Sequence, residues 1–113
     1  MSVTRIQLGK IKDIRVGYGG YQEVMLGISF NLGGEGWGTD DFIGTWATHV
    51  KPDTNSKWNE HTRDEIFAKV MRKIDSLLQE AKVVDVMDLV GKPVEITFTD
   101  NVLESWRILK EVL

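Results

Sequence analysis

The groups able to move a proton or hold a metal ion are few in this chain and poorly spaced for either task. His61 precedes Asp64 by three residues and Glu65 by four. Those are helical spacings that bring the side chains to one face, where they could offer ligands to a metal. A first helical turn whose acids complement the helix dipole accounts for the same residues without a ligand. His49 stands beside a loop with no acidic neighbour in sequence. Asp40 and Asp41, with Glu35 upstream, put carboxylates near a glycine turn. Consecutive residues of a strand face opposite ways, however, so the pair is not arranged as a general acid and base. A calcium loop would need alternating oxygen ligands over about a dozen residues, and none is present. There is no cysteine, hence no thiolate nucleophile, thiolate metal site or disulfide framework. These residues point to a chain with no catalytic group, no metal site and no cofactor.

The chemistry that is present is recognition chemistry. Two glycine clusters, Gly17-Tyr18-Gly19-Gly20-Tyr21 and Gly33-Gly34-Glu35-Gly36-Trp37-Gly38, bracket the run Glu23–Leu32. Glycine lets a backbone turn sharply or approach a partner closely, and aromatics beside it supply contact area at low entropic cost. Neither cluster leads into a helix, and Thr39 stands where a dinucleotide fingerprint needs its third glycine, so neither is a phosphate-cradling loop. The candidate binding surface is Tyr18, Gly19, Gly20, Tyr21 and Gln22 together with the Gly33–Gly38 hairpin, chiefly Gly36 and Trp37. Arg15 and Arg107, with Lys10 and Lys12, are the cations available to an anionic ligand.

The elements that must position this surface follow from hydrophobic periodicity. Residues 3–16 read as an extended segment in which Ile6, Leu8, Ile14 and Val16 alternate with polar residues, ended by the first glycine cluster. Val24–Leu32 is the cleanest strand, a hairpin turn follows at Gly33–Gly36, and a third strand spans Trp37–Trp46. Pro52–Ser56 reads as loop. Ile66, Phe67, Val70, Met71, Ile74, Leu77, Leu78 and Ala81 then form one helical face. Asn59 is the candidate N-cap, with Trp58 as a staple, and Thr62 with Glu65 is a rival start. A short helical turn at Asp85–Leu89 precedes a fourth strand at Val94–Phe98. Asp100-Asn101 makes a tight turn into a fifth strand over Ser105–Val112, with Trp106, Ile108 and Val112 on one face.

The order β-β-β-α-β-β defines one α+β domain over residues 1–113, built of five mainly antiparallel strands with a long helix between strands 3 and 4. The alternative is a Greek-key barrel of the oligonucleotide-binding kind. The open sheet is favoured because a helix face of eight apolar positions exceeds what a barrel plug needs.

With 42% hydrophobic and 27% charged residues the composition is ordinary for a globular domain. No apolar run reaches the roughly 18 residues of a membrane span, and the start lacks the apolar stretch of a signal peptide. A net charge of −3 argues against simple electrostatic capture of a phosphate backbone, and the missing cysteines favour a cytosolic setting.

The chain resembles a family of small accessory proteins carried by tailed bacteriophages and prophages. The resemblance is carried by Gly17-Tyr18-Gly19-Gly20-Tyr21-Gln22 with its following strand, by Gly36-Trp37-Gly38 and Lys57-Trp58, and by the ending Gly91–Phe98 through Ser105–Leu113. It implies a protein of the host bacterial cytoplasm that counters bacterial defence by stoichiometric binding, either sequestering an immune signalling nucleotide or occluding a defence protein. Two other readings stand beside it. One is a single-stranded nucleic acid binder of phage recombination or replication. The other is an assembly component forming a homo-oligomer through an exposed edge strand.

Overall fold

The computed structural model describes residues 2–20, 24–51 and 59–113. Five strands, β1 (Thr4–Gly19), β2 (Met25–Gly34), β3 (Trp37–Trp46), β4 (Pro93–Thr99) and β5 (Val102–Ile108), form one antiparallel sheet in the order β3-β2-β1-β4-β5. One helix, α1 (Glu60–Ala81), lies between β3 and β4 in sequence. The architecture is therefore the open α+β sheet: among the described residues no ladder joins the outer strands β3 and β5 into a barrel. A side-chain bond crosses that seam instead, from the Trp106 indole to Asp41 at 2.7 Å.

β1 is long because it serves two partners. Its first half, Thr4–Lys10, pairs with β4, and its second, Lys10–Gly19, pairs with β2. The register shifts between Ile11 and Asp13, a bulge that reverses which side chains face the core. Ile11 and Ile14 are consequently both buried, three residues apart. The simple alternation expected from residue 3 to residue 16 is corrected on this point. Ile6 and Leu8 lie on the outer face, 61% and 65% exposed, because Gln7 and Gly9 occupy the core-facing parity beside Ile96 and Val94. The first glycine cluster does not end the strand either, since β1 continues through Gly19 and turns at Gly20, where φ is 66°.

The core lies between one face of the sheet and α1. Ile11, Ile14, Ile28, Phe30, Leu32, Val94, Ile96, Phe98, Trp106 and Ile108 come from the sheet, Val70, Leu77 and Ala81 from the helix, and Leu89 from the turn after it. Burying each such side chain contributes on the order of 1.5–3 kcal/mol. Asn59 caps α1, its Oδ1 accepting from the Thr62 amide at 2.9 Å, so the rival start at Thr62 is not used. Met71, expected on the buried face, is 64% exposed. The chain folds back after Ala81 through Lys82 in a left-handed conformation, φ 58°.

One further sequence expectation needs revision. β5 begins at Val102 and ends at Ile108, and Val112 belongs to a separate 3₁₀ turn, Lys110–Val112, where it is exposed. The short helical turn expected at Asp85–Leu89 is present as a 3₁₀ helix, Val86–Leu89, capped by Asp85 and closed reciprocally by Asp88. Residues 52–58, which include the expected loop and the Trp58 staple, lie outside the described residues. None of the described helices is long and apolar enough to cross a membrane.

Candidate functional site

Directly opposed residues of neighbouring strands share a face, so the register locates the outer surface of β1, β2 and β3. Arg15, Ser29 and Phe42 form one row across the three strands, and Gly17, Gly27 and Gly44 form the next. The strands approach so closely at the glycine row that a Cβ on Gly27 would strike the Ile43 carbonyl, and one on Gly44 would lie 2.6 Å from the Leu26 oxygen. The Phe42 ring fills the space that the missing side chains leave. It would lie 2.7 Å from a Cβ at Gly44 and 3.4 Å from one at Gly19.

Beside this ring is a cleft of about 230 Å³. One wall is the side-chain-poor segment Gly17–Gly20, and the other is Arg15, Ser29, Asp40 and Phe42. The Arg15 guanidinium donates to the Tyr18 carbonyl at 2.9 Å, which holds it along the wall. Asp40 accepts from the Asn31 amide at 2.8 Å, which fixes its carboxylate at the rim. Tyr18 also lines the cleft, and its ring meets the His49 ring edge-on, with centroids 5.9 Å apart.

The structure thus brings together Arg15, Tyr18, Gly19 and Gly20 from the surface read in the sequence, while Tyr21 and Gln22 lie outside the described residues. It does not bring the hairpin to them. Gly19 pairs with Met25 at one end of β2 and Trp37 pairs with Gly34 at the other, a separation of roughly 30 Å along the strand. Gly36 makes the tight hairpin turn with φ 80°. Trp37 packs against the core, its ring edge-on to Phe98 at 6.3 Å, so its truncation would test stability rather than binding. Lys12 is occupied at the same end, its Nζ donating to the carbonyls of Gly34 and Trp37 at 3.3 and 3.4 Å.

Arg107 also stands apart, on the outer face of β4–β5. Its guanidinium bonds Glu111 at 2.8 Å and Glu95 at 3.3 Å. Those hydrogen bonds raise its own pKa further and hold the Glu111 carboxyl below the ordinary carboxylate range. An arginine already bound to two carboxylates is a poor phosphate contact. Asp40 and Asp41 point to opposite faces as their adjacency requires, the first to Asn31 and the second to Trp106. His61 pairs with Glu65 at 3.0 Å on the exposed first turn of α1. Among the described residues no three of His, Asp or Glu converge as a metal-ligand set.

Sequence reasoning missed two features. Arg63 is 6% exposed and donates to the carbonyls of Ala47 and Val50 at 2.9 and 3.0 Å, tying the start of α1 to the chain leaving β3. Lys69, Arg72 and Lys73 converge on the seam between β3 and β5. Their spacing of three and four residues along α1 is the signal in the sequence. No protein-family model, curated protein or solved structure matches the chain, so the phage setting rests on the sequence resemblance alone.

Proposed function

We propose that this protein acts by stoichiometric binding rather than catalysis, and that the outer cleft of β1–β3 takes the nucleobase of a small signalling nucleotide. The observation that carries this reading is the pairing of unlike groups in one narrow space: the Arg15 guanidinium, the Ser29 hydroxyl and the Asp40 carboxylate beside the Phe42 ring and a wall of glycine. A nucleobase is planar and carries both donors and acceptors on its edge, which is what such walls complement. The volume lies below the roughly 300–1,000 Å³ of sites for whole drug-sized ligands, so a ring fits and the remainder of the nucleotide would lie outside. The phage resemblance supplies the setting, sequestration of an immune signal in the host bacterial cytoplasm.

Calorimetry against a panel of cyclic mono- and dinucleotides tests the reading. Binding to one of them is expected, weakened about tenfold or more by Arg15→Ala or Asp40→Ala, each loss corresponding to about 1.4 kcal/mol. Absence of heat with every nucleotide, together with no rescue of phage growth in defended hosts, overturns it. Rescue without nucleotide binding would favour occlusion of a defence protein.

The strand order, with β3 and β5 facing each other across a narrow seam, favours a second reading as a single-stranded nucleic acid binder. Gel shifts that weaken steeply with salt would support it. The unpaired edges of β3 and β5 also permit a homo-oligomer, which a solution mass reads directly.

A further inference from the structure

Lys69, Arg72 and Lys73 are separated by three and four residues on α1, so their charges share one face and repel one another. Neighbouring acids usually relieve such a cluster. Among the described residues none of the three makes an ion pair, and the nearest upstream acid on that spacing, Glu65, is engaged by His61. The cluster therefore stands as a local concentration of positive charge on a protein of net charge −3.

The cations line a slot of about 390 Å³ where the sheet fails to close, between Ile43 of β3 and Ser105 of β5. The Trp106 ring lies at its floor with the Lys73 ammonium 4.7 Å above the ring centroid. That contact holds the ammonium in place through the ring's negative face. Among the described residues Asp41 is the one carboxylate lining the slot, and one of its oxygens accepts the Trp106 indole proton. The rest of the polar lining is rich in donors: two ammonium groups, a guanidinium and a serine hydroxyl. Such a set complements a compact group with many oxygens and more than one negative charge.

We propose that this slot binds the oligophosphate portion of a small phosphorylated ligand. The site is separate from the nucleobase cleft, which lies on the opposite face of β3 and shares no lining residue with it. Its test is therefore separate too. Titration of the full chain with inorganic tripolyphosphate and with pyrophosphate at low salt should show saturable one-to-one binding. Tripolyphosphate should also shift the indole N–H resonance of Trp106, assigned by its loss in Trp106→Phe. Arg72→Glu and Lys69→Glu, both at exposed positions and checked for unaltered melting, should weaken binding about tenfold or more. Arg15→Ala should leave it unchanged, so failure of the cleft reading and failure of this one are distinguishable. No binding of either probe, or binding indifferent to both charge reversals, overturns the proposal. Tighter binding of a short single-stranded DNA than of tripolyphosphate also overturns it and favours a nucleic acid partner.

Discussion

Trp106 and Asp41 join the two outer strands of the sheet through one hydrogen bond of 2.7 Å from indole Nε1 to carboxylate Oδ2. No backbone ladder spans the same gap among the described residues. The ring is also packed on Phe30, with centroids 5.0 Å apart. Trp106→Phe keeps much of the packing and strips the carboxylate of its donor. A loss of about 1–3 kcal/mol in urea unfolding is expected. Asp41→Asn, which retains an acceptor oxygen, should cost less. A double-mutant cycle between the two positions should show coupling of at least about 0.5 kcal/mol.

Arg63 anchors α1 in a way that exposed arginines do not. Arg63→Met removes the donor to two backbone carbonyls, of which Ala47 keeps the Val50 amide, at a cost of about 1–3 kcal/mol. Its contact with Glu60 is long, 3.8 Å, and Glu60 is 80% exposed. Glu60→Gln should change stability by no more than about 0.5 kcal/mol. Thermal melts of the two variants check the contrast, and equal effects would mean that the carbonyl contacts are not what matters.

The glycine row separates folding from recognition. Gly27→Ala forces a methyl group into the Ile43 backbone and should destabilise by about 3 kcal/mol or more. A Cβ at Gly17 meets nothing within 4 Å, and Gly17 lines the cleft. Gly17→Ala should therefore melt within a few degrees of the parent while weakening any ligand held in the cleft. Calorimetry and melting on the same samples decide between the two effects.

Acid should loosen the C-terminal turn. The Arg107 hydrogen bond lowers the folded-state pKa of Glu111, so the contact stabilises above the unfolded carboxylate range and is lost as pH falls through the depressed folded value. Amide protection at Val112 and Leu113, taken relative to intrinsic exchange at each pH, should fall over that acidic interval and also with added salt, because the pair is exposed. In Arg107→Ala the exchange should be fast at neutral pH and show no such step.

The elements with strong periodicity were legible before any coordinates. β2 alternates cleanly from Val24 to Leu32, Asn59 announces the start of α1, and the five-strand order with its single helix follows from them. The sequence misleads where tertiary register overrides a local pattern. A one-residue bulge near Lys12 reverses the faces of β1, so the single alternation read through Ile6, Leu8, Ile14 and Val16 does not put them on one face. Two glycine clusters that look like one surface are set at opposite ends of β2 by its length. Trp37 resembles an exposed anchor because composition does not report that Phe98 lies beside it. The basic slot needed the fold, since its residues come from β3, α1 and β5.

The bulge has a mechanical meaning as well. A long strand paired on both flanks is exposed to slippage by one residue, and in a regular ladder such a slip is opposed only by the pattern of side chains. Here the irregularity sits between Ile11 and Asp13, next to the handover from β4 to β2 at Lys10. It serves as an index mark: sliding β1 along β2 would have to move the kink through that ladder. Each half of the strand is thereby locked to its own neighbour, and residues on one half can change without disturbing the alignment of the other.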